Sequence, residues 1–130
     1  HLIYSPNVAV FRSDVDELLP ESWETSIITA PAPNAGAVKK PAEVKLILPT
    51  FLERTIRVLE IARLQGERNL VLGAWGCGVF RNDPASVARI FRDVLAEPRF
   101  AGSFDRIRFS VLDRRDVGTF RAFRGVFGSG

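Results

Sequence analysis

Three glycines interleaved with two large aromatics, in Gly73-Ala74-Trp75-Gly76-Cys77-Gly78-Val79-Phe80, are the residues of this chain best suited to hold an anion. Glycine lets backbone N–H groups approach a phosphate closely, and a helix start just beyond adds partial positive charge. Asn69-Leu70-Val71-Leu72, before the loop, reads as a short buried strand. Asp83-Pro84, after it, reads as a helix start with Asp at the N-cap and Pro at the first helical position. The spacing is neither the dinucleotide fingerprint nor a P-loop, because no Gly-Lys-Ser/Thr follows. A phosphate cradle and a plain tight turn both fit these glycines. Trp75 and Phe80 suit stacking on a ring or ribose, and suit core packing equally.

Groups able to do acid or nucleophilic work are few. Asp83 is the acid nearest the loop and is better explained as an N-cap. Glu17, Glu21 and Glu24 sit in a polar turn and read as solvated. Cys77 lies near a helix N-terminus, where a thiol can become nucleophilic, but the one histidine, His1, is not placed to activate it. Cys77 therefore reads as a small, packed loop residue. One His and one Cys cannot make a zinc site, and no cofactor is expected.

The elements that must position the loop can be read outward from it. Val87, Ile90, Phe91, Val94 and Leu95 mark the buried face of the helix after Asp83. Upstream, Thr50 and Glu53 have the spacing of a capping box for a helix from about Phe51 to Gln65, which Gly66 stops. A short separate helix fits Pro41 to Leu48. Leu2-Ile3-Tyr4 and Val8 to Arg12 read as strands parted by a Ser5-Pro6-Asn7 turn. Ser13 to Pro20 follows as a polar turn, and Trp23 to Thr29 as a further strand. Two prolines make Ala30 to Gly36 a rigid irregular loop, either a connection or a wall of the site. Phe104 to Leu112 alternates Ile107, Phe109 and Val111 with Arg106, Arg108 and Ser110, the pattern of a strand with one wet face near a sheet edge. Thr119 to Phe127 fits a closing helix. Strands alternating with helices predict an α/β fold with a mostly parallel sheet, incomplete on one side since only about four strands are visible.

With 130 residues, 46% of them apolar and 25% charged, the chain is one domain's worth of ordinary globular composition. Its net charge of +3 is spread along the sequence, which gives no sign of a nucleic-acid partner. It has no apolar run of about 18 residues and no visible signal peptide, so no membrane partner is expected. A single cysteine fits a reducing, cytoplasmic setting. The chain starts at His1 and has no Met, and Gly128-Ser129-Gly130 resembles a linker or an added tail, so a piece of a longer protein is expected.

Thr29-Ala30-Pro31-Ala32-Pro33-Asn34-Ala35-Gly36 and Leu72-Gly73-Ala74-Trp75-Gly76-Cys77-Gly78-Val79-Phe80-Arg81-Asn82-Asp83-Pro84 carry a resemblance. With Tyr4 to Arg12 as the opening strand, residues 1–127 resemble the C-terminal half of the microbial-type poly(ADP-ribose) glycohydrolases. The resemblance implies a three-layer α/β/α macrodomain-like fold with a mixed, mostly parallel sheet, the N-terminal part of the domain lying outside this chain. It implies hydrolysis of ribose–ribose O-glycosidic bonds in ADP-ribose polymers. By the same resemblance Gly73, Ala74, Trp75, Gly76, Cys77, Gly78, Val79 and Phe80 wrap the diphosphate, with Phe80 against the terminal ribose. Pro33, Asn34, Ala35 and Gly36 lie by the same cleft.

One departure bears on activity. The family's catalytic Gly-Gly-Gly run and the Gln-Glu-Glu that follows it, whose second Glu is the acid, occur nowhere in this sequence. The expectation is a chain that binds ADP-ribose or its polymer but holds no catalytic residue. It would need the N-terminal half of the domain, on the same native chain or on a second polypeptide. The alternatives are a non-catalytic ADP-ribose-binding module and, more distantly, a Rossmann-like fragment. Against the last, no acidic residue stands about 20 positions after the glycines in a strand-end context.

Overall fold

The computed structural model describes residues 1–114 and 117–128, so Ser129 and Gly130 of the expected tail lie outside the described residues. Residues His1–Pro31 form one compact unit and the chain from Ala32 onward forms another.

The first unit is a hairpin of β1 (Ile3–Arg12) and β2 (Leu18–Thr29), paired antiparallel from Ile3↔Thr29 to Arg12↔Leu18. The turn expected at Ser5 to Asn7 is instead a bulge within one long strand, where the register shifts between Ser5 and Val8. Pro6 cannot donate to the ladder and Asn7 takes a left-handed φ of 53°, which is how a strand absorbs such a pair without ending. The reversal is also shorter than expected. Ser13 N donates to Glu17 O at 2.9 Å, Asp16 takes φ 64°, and Arg12 pairs with Asp16 at 2.9 Å. Pro20 is accommodated inside β2, beside the second register shift.

The second unit runs α1 (Pro41–Val44), α2 (Ile47–Leu64), β3 (Asn69–Gly73), α3 (Pro84–Leu95), a 3-10 turn (Pro98–Phe100), β4 (Arg106–Ser110) and α4 (Thr119–Phe127). The order of elements is the one the periodicities predict. The start of α2 is a correction: it begins at Ile47, its N-cap is Leu46, and no side chain caps it. Pro49 falls in the first turn, where its missing N–H has no intrahelical partner to lose, so it does not delay the helix. Thr50 is therefore internal, and Glu53 pairs with Arg57 rather than closing a capping box. The far end follows expectation. Gly66, at φ +77°, donates to Arg63 O at 3.1 Å, and Glu67 N donates to Ala62 O at 3.0 Å, a Schellman closure.

Strands β3 and β4 pair in parallel, Asn69↔Arg106 through Gly73↔Ser110. The mixed sheet is thus realised as two separate two-stranded ladders. The tight Ser13–Glu17 reversal leaves β1 and β2 no choice but antiparallel pairing, whereas α3 supplies the crossover a parallel pair needs. Arg68 fastens the start of the parallel pair, gripping the Asp105 carboxylate and donating to Gly102 O at 2.9 Å.

The inward side chains of the pair, Leu70, Leu72 and Phe109, meet the helices. Two clusters form around Phe51, Val87, Phe91 and Phe123, and around Leu59, Val94 and Phe100. Edge-to-face and offset rings run through the first, with Phe91 5.4 Å and Phe127 4.3 Å from Phe109. The opposite face, with Val71, Arg106 and Arg108, is open to solvent. Among the described residues no helix is long and apolar enough to cross a membrane.

Candidate functional site

The glycine loop leaves the C-terminal end of β3, and the chain from Leu112 onward leaves the matching end of β4. In parallel sheets that end is where ligands bind, because the outgoing loops diverge there. A cleft of about 540 Å³ lies at that divergence, lined by Ala74, Cys77 and Gly78 on one side and by Leu112, Asp113, Arg114, Val117 and Thr119 on the other. A larger groove, about 640 Å³, opens beside β4 among Leu95, Phe109, Phe123 and Phe127, but it touches none of the glycine loop. The smaller cleft is the candidate site, since the glycine loop reaches it through Ala74, Cys77 and Gly78.

The loop is a succession of tight turns. Trp75 N donates to Gly73 O at 2.8 Å, Cys77 N to Ala74 O at 3.0 Å and Arg81 N to Gly78 O at 3.0 Å. Gly76 takes φ +71°, and a Cβ there would stand 2.7 Å from both the Ala32 Cβ and the Asn82 Nδ2. Only glycine fits. The amides of Gly76, Gly78, Val79 and Phe80 have no acceptor among the described residues. Gly78 and Val79 are exposed, so successive N–H groups stand available to an anion.

The helix start contributes less than its position suggests. Asp83 caps α3, its carboxylate accepting from Ser86 N at 2.8 Å and from Ser86 Oγ at 2.6 Å. That amide is already occupied by a fixed anion, so the loop's own amides are the free donors. The Ser86 hydroxyl first, then the Ser86 amide, hold the Asp83 carboxyl below the ordinary carboxylate range. Asp113, across the cleft, accepts from Phe120 N at 3.0 Å and Val117 N at 2.9 Å and caps α4. The Phe120 amide, foremost among these donors, lowers its pKa as well. Among the described residues, Asp83 and Asp113 are thus ionised and engaged, the opposite of what a general acid needs. Burial, with Asp83 adding to it, pushes the Cys77 thiol up to about 11, so it is no nucleophile at neutral pH.

The aromatics divide. Trp75 lies on Phe51 with centroids 5.0 Å apart, and it anchors the loop to the core. Phe80 is only partly packed against the same cluster. The Pro33–Gly36 segment meets the loop on its other flank. Gly36 N donates to Phe80 O at 3.0 Å, while Asn82 Nδ2 donates to both Pro33 O and Gly76 O at 2.8 Å. Asn34 folds back on itself, its Oδ1 accepting from Ala37 N at 3.2 Å. The sequence reading missed Asn82 and the wall formed by Leu112, Asp113, Arg114, Val117 and Thr119. The signal for that wall was its place at the end of a strand predicted to be parallel. Among the described residues no group of three or more His, Cys, Asp and Glu could hold a metal ion.

No family model matches this sequence, and no curated protein matches it; the likeness is to solved structures. Poly(ADP-ribose) glycohydrolase from Deinococcus radiodurans, in complex with ADP-ribose, superposes with a TM-score of 0.91 at 52% identity over 98% of this chain and 52% of that one. The apo form from the same organism gives 0.89 at 52% identity over 98% and 53%. The enzyme from Thermomonospora curvata, bound to the inhibitor ADP-HPD, gives 0.88 at 44% identity over 97% and 48%. The chain spans about half the length of these relatives. Similar in sequence and in its macrodomain-like fold over nearly its whole extent, the chain belongs to the family of the microbial poly(ADP-ribose) glycohydrolases.

Proposed function

We propose that this chain supplies the ADP-ribose-binding half of a poly(ADP-ribose) glycohydrolase, an enzyme that hydrolyses ribose–ribose O-glycosidic bonds. The run of uncommitted amides at Gly78, Val79 and Phe80, beside the cleft at the ends of β3 and β4, carries the reading. It presents several N–H donors to one anion, and a diphosphate is the anion that the complexed relatives suggest. In this proposal the diphosphate lies along Gly73–Phe80, the terminal ribose against Phe80, and Pro33–Gly36 forms a side wall.

The acid that protonates the leaving ribose oxygen is proposed to come from the remaining half of the domain, on the same chain or a second polypeptide. Glycosidases need a carboxyl held protonated beside that oxygen. Asp83 and Asp113 are both held ionised, which favours binding without cleavage by this chain alone. A cytoplasmic setting belongs to the proposal and rests on the one free thiol, Cys77.

Calorimetric titration of the chain with ADP-ribose tests the reading, with adenosine as the control that lacks phosphate. Saturable binding of ADP-ribose, weak or absent binding of adenosine, and no shortening of ADP-ribose polymer are expected. Equal affinity for the two ligands would remove the diphosphate cradle.

A further inference from the structure

Asn82 is 3% exposed and sits where the Pro33–Gly36 segment and the glycine loop come together. Its Nδ2 donates to Pro33 O and to Gly76 O, both at 2.8 Å, and its own N–H donates to Gly76 O at 3.1 Å. These bonds fix the amide's orientation, since a flip would set Oδ1 against two carbonyl oxygens. The same nitrogen stands 2.7 Å from where a Gly76 Cβ would be, so the space admits this side chain only because residue 76 has none. On the far side of the loop, Gly36 N completes the join by donating to Phe80 O at 3.0 Å.

We propose that Asn82 is a positioning residue for the ligand site. It touches no ligand itself. It holds the Pro33–Gly36 wall at a fixed distance from the Gly76–Phe80 amides, so that both face one bound ADP-ribose. The part of this that concerns the ligand rests on the function proposed above. The part that concerns the join between the two segments does not.

Two readouts on the intact chain, amide hydrogen exchange and calorimetry with ADP-ribose, separate these parts. In Asn82→Asp a carboxylate faces two carbonyl oxygens, and the Gly36 amide should exchange about tenfold faster or more, while Leu70 to Leu72 in β3 stay protected. ADP-ribose affinity should fall by a similar factor at about pH 8 and recover in part near pH 5, where the buried carboxyl takes up a proton and can donate again. Asn82→Ser, smaller and with a single donor, should show both losses without the pH dependence. Unchanged exchange at Gly36 in both variants overturns the proposal. Faster exchange with unchanged affinity also overturns it, leaving Asn82 a structural bridge alone. If the parent chain binds no ADP-ribose, the functional reading falls, and exchange at Gly36 still decides whether Asn82 joins the segments.

Discussion

Trp75 and Phe51 pack with ring centroids 5.0 Å apart and planes inclined by 58°, so the glycine loop is tied to the core through an aromatic that sequence alone could equally assign to a ligand. Phe51 is fully buried and also meets Phe91 edge to face at 6.4 Å. Phe51→Leu keeps most of the apolar volume and loses the ring contacts, a cost of about 1–2 kcal/mol. Trp75 emission should shift to the red, and ADP-ribose affinity should fall although residue 51 lies outside the loop. Wild-type emission and affinity in this variant would mean that the loop holds its shape without that anchor.

Gly76 and Gly78 make opposite predictions. Alanine at 76 must adopt φ +71°, which costs about 1–2 kcal/mol before the collisions with Ala32 and Asn82 are counted. Gly76→Ala should therefore lower the melting temperature markedly. A Cβ on Gly78 meets nothing within 4 Å, so Gly78→Ala should melt close to the parent. Its methyl group projects from the exposed part of the loop, and ADP-ribose binding should weaken without loss of stability. Matched melting curves and titrations of the two variants check both statements.

The α3 cap gives a pH signature. Hydrogen bonds from Ser86 hold the Asp83 carboxyl below its ordinary value, so its folded pKa lies below its unfolded pKa. Its contribution is then present above the unfolded value and is lost as pH falls through the folded one. Asp83→Ala should cost about 1 kcal/mol at neutral pH, the usual worth of an N-cap. The gap between variant and parent, full at neutral pH, should narrow at an acid pH below the carboxyl's lowered folded value, where both lack the ionised cap. Urea melts at the two pH values measure it, and a gap that persists in acid would assign the stabilisation to something other than the carboxylate.

What the sequence reveals here is local, and what it hides is tertiary. Asp83-Pro84 and Gly66 announce a helix start and stop because the bonds they make lie within a few residues. Strand β4 shows through its alternation because Ile107 and Phe109 face helices while Arg106 and Arg108 face water. Thr50 and Glu53 mislead, since the spacing of a capping box can also occur inside a helix, where Glu53 pairs with Arg57 instead. Asn82 is beyond local reading because its partner, Pro33, is 49 residues away and offers only a carbonyl oxygen, which every residue has. The cleft wall of Leu112, Asp113, Arg114, Val117 and Thr119 is hidden for a related reason. It becomes a wall only once β4 pairs in parallel with β3.

The open side of the parallel pair yields the last prediction. Val71 is 76% exposed on its outer face, while Leu112 (77%), Val117 (71%) and Val79 (90%) stand exposed around the cleft. Neither outer edge of the β3–β4 pair has a strand beside it among the described residues. Exposed apolar side chains next to unpaired strand edges favour association with another chain. This chain should therefore self-associate at micromolar concentration in sedimentation velocity runs. Val71 pairs in register with Arg108, so Val71→Glu places a carboxylate beside that guanidinium and removes an apolar contact at once. The variant should sediment more nearly as a monomer, with melting behaviour close to the parent's. A parent chain that already sediments as a single monomeric species would show that this face does not drive association.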